Sequence, residues 1–134
     1  EAQEAQVLSE VTQWYKDNRG WLATADILRL DTSDLSVLAE MQLASDASRF
    51  VVFFNQLHSA QQILPRPLRL TGLDPKARYV LHLRNRDEVS KLSRGAPLLK
   101  SQDLQASGAW LMTHGLHLPY AMPGSIWVVE GQKL

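Results

Sequence analysis

The stretch from Ser36 to Leu57 constrains this chain more than any other. Val37, Ala39, Met41 and Leu43 alternate with Glu40 and Gln42, which is the period of a half-buried strand. "ASDASR" then supplies turn formers, and "FVVFFNQL" follows with apolar residues at odd and even positions alike. A run apolar on both faces reads as a central strand covered on each side, paired antiparallel to its predecessor. A chain committed to that pair needs further strands to continue the sheet.

They follow at short intervals. "LRLTGLDPKARYVLHLR", residues 68 to 84, reads as strand, tight turn and strand, with Gly72, Asp74 and Pro75 as turn formers. Tyr79 heads the second run four residues after Pro75, which predicts a tyrosine corner with a buried phenol bonded to backbone at 72–75. "NRDEVSKLSRGAPLLKSQD" reads as a long polar loop, and "GAWLMTHGLHL" and "SIWVVEG" as two further strands. Six or more short strands predict an all-β fold, an antiparallel β-sandwich of Greek-key type.

The N-terminal stretch differs. Val7, Val11, Trp14, Tyr15, Asn18, Leu22 and Ala25 recur three or four apart, opposite Glu10, Gln13, Lys16 and Asp17. This predicts one α-helix over 4–24 preceding the sandwich, continuing through Gly20 at a cost of about 1 kcal/mol.

Composition excludes more than it assigns. Fourteen basic and fourteen acidic residues balance across 134 residues, so no field favours nucleic acid or an anionic membrane. There is no apolar run of spanning length, and the opening residues "EAQEAQVLSE" lack the basic start and apolar core of a secretory signal. The chain has no cysteine and no Asn-x-Ser/Thr sequon, which leans towards a bacterial cytoplasm.

Chemistry-bearing residues are sparse. Asp26, Asp31 and Asp34 form the nearest thing to a carboxylate cluster, with Arg29 among them. Paired-carboxylate catalysis needs a shielded cleft, and Asp at a helix-to-strand junction ordinarily caps or turns. His114 and His117, three apart on an expected strand, would face opposite ways and share no metal; His58 and His82 are solitary. No catalytic, cofactor-binding or metal site is expected. Trp14, Trp110 and Trp127 are expected in the core, leaving Trp21 as the least obviously buried. If Trp110 and Trp127 were instead exposed and coplanar, the chain would read as a carbohydrate-binding module. The Leu73-x-Pro75…Tyr79 pattern admits a fibronectin-like interaction module as a second alternative.

The segment "VTQWYKDNRGWLATADILRLD" resembles family 36 glycoside hydrolases, the α-galactosidases, where the catalytic (β/α)8 barrel joins its C-terminal domain. Tyr15, Lys16, Arg19, Leu22, Asp26, Arg29 and Leu30 match that pattern, whereas Ala25 replaces the usual Gly and Leu28 the usual Tyr. The likeness continues through 37–57, "LRLTGLDPKARYVLHL" and "SGAWLMTHGLHLP". It implies that residues 1–25 are the final helix of a missing barrel and its linker, and that 26–134 are a non-catalytic C-terminal β-sandwich. The intact parent would be a retaining enzyme acting on terminal α-galactosides of the melibiose and raffinose type. The family's Lys-Trp-Asp nucleophile segment has no counterpart here. The expected partner is the parent's barrel. Without it, the apolar helix face needs another cover, and a second copy forming a homo-oligomer is expected ahead of a fold-back onto the sandwich.

Overall fold

A computed structural model describes residues 2–30, 32, 37–57, 67–84, 103–117 and 126–134, with the side chains at 2–4, 6, 7 and 11 outside that set. Helix α1 (Ala2–Leu22) leads into β1 (Asp26–Leu30), β2 (Val37–Leu43) and β3 (Arg49–Gln56). Then come β4 (Arg78–Leu83), β5 (Leu104–Ser107), helix α2 (Gly108–Thr113) and β6 (Ile126–Lys133). The six strands form one antiparallel sheet in the order β1-β2-β3-β6-β4-β5. The last strand therefore returns to the middle, a non-local connection of the Greek-key kind.

Strand register explains the core. Leu28, Met41, Val52, Val129 and Leu83 sit opposite one another across five strands. All but Leu28 in this row are fully buried. The same face carries Phe50, Phe54, Trp127, Tyr79 and Leu81. Gly131 lies opposite Phe50, and the phenyl ring fills the place of its side chain, 2.1 Å from where a Cβ would stand. Across the core, Leu68, Leu70, Leu73, Leu111 and Leu116 close the second layer of the sandwich. There Leu68 and Leu116 exchange backbone bonds of 2.8 and 2.7 Å, and the Leu70 N–H donates to the Leu111 carbonyl at 3.1 Å.

The expected turns form. The Asp46 carboxylate accepts bonds from the Ser48 hydroxyl and backbone N–H, which hold its carboxyl below the usual 3.8. Tyr79 is fully buried, and its hydroxyl accepts from the Asp74 N–H at 3.2 Å, as the corner requires. The same hydroxyl donates to the Ala47 carbonyl at 2.7 Å, tying the corner to the β2–β3 turn.

Five expectations need correction. Residues 108–113 are helical, because the Ser107 hydroxyl accepts from the Trp110 N–H and caps the turn. Only Gly108 and Leu111 are buried there, and six residues are too few to show a helical period. Leu68–Thr71 is not a strand: only Leu68 pairs, in an isolated bridge to Leu116. Asp26 opens β1 instead of a turn, and β5 stands where the polar loop was expected to give way directly to the 108–118 strand. These two edge strands run only five and four residues, so their alternation is faint. Finally, α1 lays Trp14, Asn18 and Trp21 against its own sheet, the fold-back ranked second to a partner copy, while Tyr15 of the same expected face stays exposed. The 4–24 helix and its passage through Gly20 are as expected. The side chains of Val7 and Val11 lie outside the described set.

Candidate functional site

Trp14, Asn18 and Trp21 are spaced four and three apart, so one stripe of α1 carries them towards the sheet. That stripe meets the face turned away from the core, where Arg49, Glu130, Gln132, Val80 and His82 stand. Asn18 is 8% exposed, which obliges its amide to find partners. Its Nδ2 donates to the Trp14 carbonyl at 2.8 Å. Its Oδ1 accepts from Trp21 Nε1 and from Arg49 Nη2, each at 2.8 Å. The Arg49 guanidinium also lies over the Trp21 ring, 5.1 Å from its centroid.

Trp14 repeats the arrangement. Its indole Nε1 donates to Glu130 Oε1, and the Arg84 Nη1 donates to the same oxygen at 3.1 Å. Arg84 sits 5.7 Å from the Trp14 ring centroid. Each indole thus has a cation at its face and an acceptor at its N–H, and that acceptor is shared with the same cation. Such contacts combine cation–π attraction with charge-assisted hydrogen bonding.

Between helix and sheet an open cleft of about 110 Å3 remains, lined among others by Trp14, Trp21, Arg49, Glu130, His82 and Asp103. It is smaller than the roughly 300 Å3 at which ligand pockets begin. Its two carboxylates are engaged: Glu130 by Trp14 and Arg84, and Asp103 by the His82 ring 2.8 Å away. His82 is therefore not solitary. The arrangement is built to fasten the helix to the sheet.

The remaining candidates do not converge. Asp26 is exposed at the head of β1, while Asp31 and Asp34 lie outside the described residues, as does His58. Arg29 is exposed and stands opposite Glu40 in the neighbouring strand. His114 caps α2, not a strand, and stacks on Trp110 with ring centroids 5.6 Å apart; His117 is exposed beyond the Leu68–Leu116 bridge. Among the described residues no three His, Asp or Glu side chains are gathered as metal ligands. Trp127 is 3% exposed and Trp110 36%, so Trp110 is not in the core and the two do not form one exposed platform. Trp14 and Trp21 are both half-buried. Sequence reasoning missed Arg49, Arg84 and Glu130, which sit in different parts of the chain and meet only through strand pairing. The visible signal was Asn18 on an otherwise apolar stripe.

The sequence profile of the glycosyl hydrolase family 36 C-terminal domain matches residues 38–129. An α-galactosidase of Escherichia coli is 29% identical over 125 residues, covering 89% of this chain and 18% of that protein. Among solved structures, an α-galactosidase from Lactobacillus brevis superposes over 100% of this chain and 17% of its own, with TM-score 0.75 and 16% identity. A family 36 α-galactosidase from Geobacillus stearothermophilus, solved with raffinose, superposes over 100% of this chain and 16% of its own, with TM-score 0.74 and 21% identity. The chain thus spans less than a fifth of these relatives. With the profile matched over most of its length, the chain belongs to the glycosyl hydrolase family 36 C-terminal domains.

Proposed function

We propose that this chain is the non-catalytic C-terminal domain of a retaining α-galactosidase that acts on terminal α-galactosides of the melibiose and raffinose type. The observation that carries the reading is the family match over residues 38–129, within proteins of which the chain spans only 16% to 18%. In the parent, one carboxylate would form the glycosyl-enzyme, while a second protonates the leaving oxygen and then activates water. Both would come from a catalytic barrel outside this chain, with residues 1–25 as the barrel's last helix and linker and 26–134 as the appended domain. The cleft beneath α1 supports the non-catalytic reading, since its carboxylates are spent on Arg84 and two ring nitrogens.

The test compares the parent protein with the 134-residue chain on an aryl α-galactoside. The parent is expected to turn it over with retained anomeric configuration, and the chain alone to leave it intact. Turnover by the chain alone that disappears in Asp26→Asn or Asp31→Asn would overturn the reading.

A further inference from the structure

Among the described residues, Ala47 in the β2–β3 turn is the only non-glycine with a positive φ, 59°. In that left-handed region Cβ crowds the backbone carbonyl, so an alanine stays there only where its surroundings over-determine it. The hairpin supplies part of the hold: the Ala47 N–H donates to the Ala44 carbonyl at 2.9 Å, and the Ala44 N–H to the Arg49 carbonyl at 3.0 Å.

The rest comes from outside the turn, through a closed circuit of bonds. The buried Tyr79 hydroxyl donates to the Ala47 carbonyl at 2.7 Å and accepts from the Asp74 N–H at 3.2 Å. The Asp74 carboxylate accepts from the Lys133 ammonium at 3.3 Å. The Lys133 N–H then donates to the Ser48 carbonyl at 2.7 Å, which brings the circuit back to the residue beside Ala47. Two successive carbonyls are thus held by the corner and by the end of β6. If Ala47 left the left-handed region, the first of them would turn off the phenol.

The next residue is Arg49, which opens β3. Its Nη2 donates to Asn18 Oδ1 at 2.8 Å, and its guanidinium lies over the Trp21 ring. Where the turn puts the start of β3 therefore decides where that guanidinium meets α1.

We propose that this junction is a latch, in which the Tyr79 phenol holds Ala47 in its strained conformation and so fixes where Arg49 meets Asn18 and Trp21. The hold of the sheet on α1 then depends on the corner at the end of the sandwich. Tyr79 and Ala47 act through Arg49 and are positioning residues.

The Trp21 indole N–H, read by proton–nitrogen NMR of the 134-residue chain, reports the far end of the latch. Its bond to Asn18 and the cation above its ring set that resonance. Tyr79→Phe should move it towards a free indole and speed its exchange with solvent by about tenfold, as for loss of one charge-assisted bond. Ala47→Gly alone should leave it in place, because glycine takes the left-handed turn without strain. Adding Ala47→Gly to Tyr79→Phe should restore it, since that turn needs no phenol to hold it. Ala47→Val, with the phenol intact, should reproduce the Tyr79→Phe shift, because a β-branched side chain is excluded from the left-handed region. A Trp21 resonance unmoved in either Tyr79→Phe or Ala47→Val would overturn the latch. So would a Tyr79→Phe shift that Ala47→Gly fails to restore, because the phenol would then reach Arg49 by a route without Ala47.

Discussion

Tyr79 does the work of two residues. Its hydroxyl accepts from the Asp74 N–H inside the corner and donates to the Ala47 carbonyl, 32 positions away in sequence. Its ring packs against Phe50 with centroids 5.8 Å apart. Asp74 is held from its other end, where its carboxylate accepts from the Lys76 N–H and the Lys133 ammonium, which keep it below the usual 3.8. Tyr79→Phe keeps the ring and strands one buried donor and one acceptor, so the chain should lose about 1 to 3 kcal/mol. Denaturant melts with an unchanged midpoint would show that neither bond contributes. The corner was legible as a pattern because Leu73, Pro75 and Tyr79 are near neighbours. The Ala47 bond was not, since nothing local says which loop lies above the phenol.

The two helices respond oppositely to the same substitution. In α1, a Cβ on Gly20 would meet nothing within 4 Å, and the position is helical without strain. Gly20→Ala should therefore stabilise the chain by up to about 1 kcal/mol. In α2, a Cβ on Gly108 would stand 2.0 Å from the Asp74 carbonyl oxygen, and backbone there cannot swing aside. Gly108→Ala should cost about 1 to 3 kcal/mol through overpacking and pull α2 off the corner. Paired thermal melts of the two variants check both signs, and a stable Gly108→Ala chain would contradict the close approach. Helix α2 also shows why its residues mislead as a sequence. It is one capped turn and a half between a strand and a bridge, and its conformation is imposed by Ser107 and by the crowding at Gly108.

At the scale of the molecule, the sheet has two jobs on its two faces. One closes the core against Leu68, Leu70, Leu73, Leu111 and Leu116. The other anchors α1 through polar contacts, which can be made and broken without opening the core. Arg49→Ala removes a charge-assisted bond to Asn18 and the cation over Trp21, together worth about 1 to 3 kcal/mol. Amide exchange should then quicken along α1 while β3 and β6 keep their protection. Loss of protection in the strands as well would mean that helix and sheet form one cooperative unit.

The sequence by itself determined what short-range rules govern. The two-residue alternation of 37–43, the doubly apolar 50–56, the 72–79 corner and the 3.6-residue period of α1 each follow from residues within a few positions of one another. Their order was enough to resemble the family that the profile then showed. Tertiary structure alone decided which face of α1 would be covered and by what. Arg49, Arg84 and Glu130 reach the helix only because β6 returns between β3 and β4, and that return is fixed by the register of strands far apart in the chain. The helix stripe therefore divides: Trp14 turns inward to a carboxylate, while Tyr15, its immediate neighbour, faces out. An apolar period shows that a helix has a side to bury, but its partner is set by long-range pairing, which no local pattern contains.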